Sequence, residues 1–132
     1  MKPHLHSKSS ARKFGGKPED YLDIHQFMDS SQAHIADVRH RALFHNSFGC
    51  FLVEQLFGVV RVNSDGKEYS TRDVAEQHII EDLGRIPTVQ DYFQHMELQK
   101  WMGGPVASTR KISFDELNEM FSPEQAKDLI KD

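Results

Sequence analysis

The stretch Val59-Val60-Arg61-Val62-Asn63-Ser64-Asp65-Gly66-Lys67-Glu68-Tyr69-Ser70-Thr71 lies between two helical patterns, and its reading decides the fold. Two short runs rich in β-branched and aromatic residues flank a turn ending in Asp-Gly, which is the signature of a β-hairpin. Two strands alone are marginally stable, so this hairpin needs helices to lie against. Ser70 or Thr71 then supplies an N-cap for a helix that stops at Gly84. The expected fold is therefore mainly α: about four main helices, one inserted β-hairpin and a short two-helix C-terminal tail.

Working upstream, Pro18 with Glu19 and Asp20 opens a helix over 18–29, on which Tyr21, Leu22, His25 and Met28 recur at helical spacing. Ser30 or Ser31 caps a longer helix over 32–57, stopped by Gly58. On it Leu43, Phe44, Phe48, Cys50, Phe51 and Glu54 share one broad arc, which predicts a core-facing stripe. A buried Glu54 would need an Arg or His from another helix. Gly49 inside this helix costs about 1 kcal/mol against Ala, so it is read as permitting close approach of another backbone. Downstream, Thr88 with Asp91 opens a fourth helix through about Met102, and Gly103-Gly104-Pro105 ends the ordered body. Residues 1–104 read as a single helical domain with a basic N-terminal arm, 1–17. Residues 105–132 read as a linker and a tail whose two small helices start near Ser113 and Ser122.

The composition narrows the class further. The chain has 132 residues, 38% hydrophobic and 27% charged, so it is too apolar for disorder and long enough for one core. No run approaches the roughly 18 apolar residues of a spanning helix, and a cytoplasmic protein without membrane contact is expected, in the host cytoplasm if phage-encoded. The single cysteine, Cys50, excludes an internal disulfide and a zinc ribbon, and its Phe-rich surroundings argue against a nucleophile. Residues 1–17 carry five basic residues and no acid, whereas 18–104 hold seven basic and 14 acidic. Such an arm either folds back onto the acidic body or reaches for an anionic partner; nucleic acid is disfavoured because no recognition motif accompanies it.

Eight histidines stand against 16 Lys plus Arg. His25 with Asp29, and His78 with Asp82, place an imidazole and a carboxylate four apart on one helix face, where both can converge on a cation or simply hydrogen-bond each other. On a continuous 32–57 helix, His34, Asp37, Arg41 and His45 form a polar stripe, while His40 lies among the aromatics and reads as a satisfied structural histidine. His45, His78 and Asp82 are the first choice of metal ligands, with His25 and Asp29 as additions and His34 as the alternative. This N/O set without sulfur suits Zn, Mn, Fe or Ni. Arg39 and Arg41 are candidate anion holders, and a metal beside arginines suggests hydrolysis at phosphorus by a metal-activated water. His4 and His6 are assigned to the basic arm. H-E-x-x-H, the P-loop, G-x-S-x-G and an adjacent His-Asp pair are all missing from the sequence.

Several strings together carry a resemblance: His6 with Ser9-Ser10-Ala11-Arg12-Lys13-Phe14-Gly15-Gly16-Lys17-Pro18-Glu19-Asp20-Tyr21, Arg39-His40-Arg41-Ala42-Leu43 with His45, and Asn63-Ser64-Asp65-Gly66. Glu76-Gln77-His78 and Glu81-Asp82-Leu83-Gly84-Arg85-Ile86-Pro87-Thr88 continue it. Over about residues 4–102 the chain resembles an uncharacterised family of small phage and bacterial proteins, a domain of unknown function. The resemblance implies a phage or bacterial origin and brings no activity with it. Two functions are thus expected. One is an accessory binding module that engages a host protein or its own copies through 105–132. The alternative is a His-rich metal-binding protein, extending to a metal-dependent hydrolase of a phosphorylated or nucleotide substrate.

Overall fold

A computed structural model describes residues 1–104, and the two tail helices expected beyond Pro105 lie outside the described residues. Residues Met1–Gln94 form one compact unit; the chain from His95 belongs to a second. Within the first unit the elements run α1 (Pro3–Phe14), α2 (Leu22–Asp29), α3 (Arg41–Phe44), α4 (Ser47–Phe57), β1 (Val60–Val62), β2 (Glu68–Ser70), α5 (Thr71–Leu83) and α6 (Val89–Phe93). The mainly helical class with one hairpin is what the sequence predicts. The strands pair antiparallel with Arg61 opposite Tyr69. The Ser70 hydroxyl accepts from the Asp73 amide at the start of α5, and Gly84, in the left-handed region, ends that helix.

α5 packs against α4, α2 and α1, and α1 against α2. Their shared core is Tyr21, Ile24, Met28, Cys50, Val53, Tyr69, Val74, Ala75 and Ile79. Phe14 lies beside Tyr21 and Tyr69, and Phe27 stacks on Phe44 at the other side of this core. Residues 1–17 are folded back: Pro3 sits in the first turn of α1, and the helix lies on α2 and α5. Its exit is latched to the hairpin. The Asp20 carboxylate accepts from the Lys17 amide, the Ser64 amide and the Ser64 hydroxyl, and the Gly16 amide donates to Asp65. A Cβ at Gly16 would lie 2.3 Å from the Asp20 carboxylate and 2.9 Å from Asn63, so the latch requires glycine there.

Three expectations are corrected. The single helix over 32–57 is broken into 3-10 turns at Ser30–Ala33 and Val38–His40, then α3 and α4. Asp37 caps the second turn by accepting from the Arg39 amide, and Asn46, fully extended, caps α4 by accepting from the Gly49 amide at 2.8 Å. Side chains of the Asx type compete with helical hydrogen bonds in this way. Gly49 does permit a close approach, with the turn before its own helix: a Cβ there would lie 1.8 Å from the Phe44 carbonyl oxygen.

The break also rotates the aromatic stripe. Cys50 and Val53 are buried, but Phe48 and Phe51 are about half exposed and Leu43 is open as well, so these three are not core. Glu54 does meet an arginine from another helix, Arg72 of α5.

The fourth helix starts as read, with Thr88 and Asp91 capping one another, but α6 stops at Phe93 instead of reaching Met102. No residue of α6 is buried, so beyond its capping box no apolar face sustains it. In the second unit a 3-10 turn, Lys100–Met102, ends at Gly103.

Candidate metal centre

α5 carries Gln77 and His78 one turn before Glu81 and Asp82, so two i,i+4 pairs point side by side into the helix cluster. α1 brings His6 and Ser10 to them, and α2 brings His25 and Asp29. The turn created by Asn46 brings His45, whose carbonyl accepts from the Tyr92 hydroxyl at 2.8 Å. All four of these histidines are fully buried.

Around one point, His45 Nε2 lies 3.0 Å from Asp82 Oδ2 and 3.5 Å from Asp29 Oδ1. His78 Nε2 lies 3.2 Å from Asp29 Oδ1 and 3.3 Å from Asp82 Oδ2, while the other oxygen of Asp82, Oδ1, faces His6 Nε2 at 3.3 Å and the Met1 ammonium at 3.2 Å. Donor atoms held about 2.0–2.2 Å from a common ion are spaced on the order of 3.0–3.6 Å apart, which matches these separations. Asp29, His45, His78 and Asp82 form one group able to hold a metal ion, and His6, His25 and His78 form a second that shares His78.

The protons of the surrounding network can be followed one by one. The Gln77 amide nitrogen donates to Glu81 Oε1 and to the His6 carbonyl, which fixes its oxygen toward Ser10. The Ser10 hydroxyl donates to that oxygen at 2.6 Å. Having one proton, Ser10 must accept from His25 Nε2, 2.7 Å away. Burial, followed by the nearby His78 and His6, pushes His25 down to about 2, so its ring is neutral and its Nδ1 is bare. His78 Nδ1, 2.9 Å from it, therefore donates. The other nitrogen of His78, Nε2, hydrogen-bonds Asp29 Oδ1 at 3.2 Å and lies 3.3 Å from Asp82 Oδ2, so a bound cation would take the place of its proton there. His6 repeats the pattern: its Nδ1 donates to Glu81 at 2.7 Å, Ser9 donates to the other oxygen of Glu81, and His6 Nε2 has no hydrogen-bond partner. These imidazole nitrogens and carboxylates form a donor set for a cation, which would compete with the imidazole protons and with the Met1 ammonium, 3.2 Å from Asp82 Oδ1.

The electrostatics agree. Burial works against ionisation of Asp82, yet the surrounding imidazoles of His45, His6 and His78 outweigh it and hold the carboxyl well below the usual range. Asp29 is lowered likewise, against burial, chiefly by its bond with His78. Burial depresses His45, while for His78 the bonds to Asp29 and Asp82 overcome burial and raise it.

Of the residues proposed from sequence, the structure brings His45, His78, Asp82 and Asp29 together, and His25 stands one hydrogen bond behind His78. It does not bring His34 to them: His34 lines an open surface pocket with Ile35, Asp37 and Arg39. Arg39 is exposed and forks onto Asp37 at 2.7 and 3.0 Å, and Arg41 opens α3 one turn before His45. His40 is the satisfied histidine expected, bonded to Ser31 at 2.9 Å and Gln32 at 3.2 Å. His6 was missed because it was assigned to the arm. Its signals are Pro3, a helix-start residue, and Ser10, four residues on and so on the same face.

No curated protein and no solved structure matches the chain. Residues 1–102 match a family described as a domain of unknown function, DUF6915, and the chain belongs to that family.

Proposed function

We propose that this protein binds one divalent transition-metal ion between His6, His45, His78, Asp29 and Asp82. The observation that carries the reading is the convergence of His45 Nε2 and His78 Nε2 with Asp29 Oδ1 and Asp82 Oδ2 at 3.0–3.5 Å, with the unpartnered His6 Nε2 beside the other oxygen of Asp82. Three imidazoles and two carboxylates without sulfur suit Zn, Mn, Fe or Ni. Enclosure favours a held ion over a turnover site: the histidines are buried, and the Asp29 and Asp82 side chains are only 13% and 3% exposed. A hydrolase of phosphorylated substrates would need an open coordination position, and Arg39 is already engaged by Asp37.

Metal analysis of untagged protein tests the proposal, with near one equivalent of a single transition metal expected. Under roughly a tenth of an equivalent, with no gain in melting temperature on adding Zn or Mn, would overturn it. Metal-dependent turnover of a generic phosphodiester would restore the hydrolase reading.

A second reading, an accessory interaction module of phage or bacterial origin, draws support from the exposed apolar row Phe48, Phe51 and Leu56 on α4. Light scattering of the chain with and without residues 105–132 tests it; an unchanged monomer in both forms counts against self-association.

A further inference from the structure

We infer that the first two turns of α1, Pro3–Ser10, are a metal-dependent strap that closes over the centre when the ion binds and loosens when it leaves. The inference rests on the metal-binding reading above and adds its regulation.

The observations concern what holds α1 down. Its buried residues are His6, Ser7 and Ser10, all polar, whereas Leu5 is 42% exposed. A helix is ordinarily fixed by an apolar face, and twelve residues alone are too few for a stable one. Only the far end of α1 has apolar anchors, and backbone anchors join them there. Ala11 and Phe14 pack on the core, the Tyr21 hydroxyl donates to the Gly15 carbonyl at 2.6 Å, and Asn63 donates to the Phe14 carbonyl at 3.0 Å.

Ahead of Ala11, every attachment leads to the metal centre or to the residues that orient it. His6 and Ser9 bond Glu81, Ser10 bonds His25 and Gln77, Gln77 bonds the His6 carbonyl, and the Met1 ammonium pairs with Asp82 at 3.2 Å. Two buried groups on this segment are unsatisfied without an ion. His6 Nε2, 3.3 Å from Asp82 Oδ1, and the Ser7 hydroxyl have no hydrogen-bond partner. A cation between His6 and Asp82 turns the first from a cost into a bond. Ion occupancy is thereby transmitted to the N-terminal turns, with the segment from Ala11 onward as the fixed end.

Hydrogen-exchange mass spectrometry on the full, untagged chain, with and without Zn or Mn, tests this, alongside calorimetric titration of the same ion. Saturation is expected to slow exchange of the amides of residues 6–10 by at least about tenfold, with a smaller change in α4. Tryptic cleavage after Lys8 should slow in parallel. His6→Ala should still bind the ion through Asp29, His45, His78 and Asp82, more weakly, without protecting residues 6–10. Stoichiometric binding with unchanged exchange in that segment overturns the strap alone. Equal protection in His6→Ala does the same. Failure of wild type to bind any ion overturns the strap together with the metal reading.

Discussion

The Nδ1 atoms of His25 and His78 lie 2.9 Å apart, and one proton serves both. Because His25 is held neutral with its proton on the Ser10 side, that proton belongs to His78 and turns the Nε2 of His78 toward Asp29 and Asp82. His25→Ala removes the acceptor and frees the ring of His78. A loss of about 10–100-fold in metal affinity is expected, measured by competition with a chromophoric chelator. An unchanged affinity would mean that the His78 tautomer is set elsewhere.

The acid stability of metal-free protein should carry the signature of His25. Its pKa is pushed down to about 2 in the fold, by burial first and then by His78 and His6. Unfolding below the ordinary imidazole pKa of about 6.5 therefore takes up a proton, and stability falls as pH falls. The contribution is at most about 1.4 kcal/mol per pH unit below that point and is absent above it. Urea titrations between pH 7 and 5 should show a shallower fall for His25→Gln than for wild type. Parallel slopes would contradict the assignment.

Gly49→Ala should damage fold and site together. Its Cβ would lie 1.8 Å from the Phe44 carbonyl oxygen, so the Asn46 turn cannot survive unchanged. Overpacking against backbone costs on the order of 1–3 kcal/mol. Because the same turn aims His45 at Asp82, metal affinity should drop as well. Chemical denaturation and metal titration on the one variant report both effects.

Cys50 should be silent in the native state. It is buried, and that burial, aided by Glu76, raises its thiol to about 11, which leaves little thiolate at pH 8. Iodoacetamide should label it only in denaturant; rapid labelling of folded protein would show that α4 opens readily.

The fold was legible where local chemistry and periodicity agree. Ser70 and Gly84 bracket α5, Asn63-Ser64-Asp65-Gly66 turns the hairpin, and Thr88 with Asp91 caps α6. Residues 32–57 read as one helix because their apolar spacing is helical throughout, while the opposing signals, Asp37 and Asn46, are single polar side chains bonding nearby amides. Breaking that helix invalidates any face assigned across the break, which is why His34 was grouped with His45 and Phe48 with the core.

The candidate centre was legible in the i,i+4 pairs of α2 and α5, whose geometry is local. His6 was not, because α1 buries a polar face and so shows none of the apolar periodicity by which a packed helix is found.

The donors of the centre are scattered from His6 to Asp82, across nearly the whole of the first compact unit. A nascent chain emerging N-terminus first therefore carries half a chelate through most of its synthesis. The full set of candidate donors exists only when α5 has been made, so an ion held as proposed would discriminate chains that have reached α5 from those terminated before it.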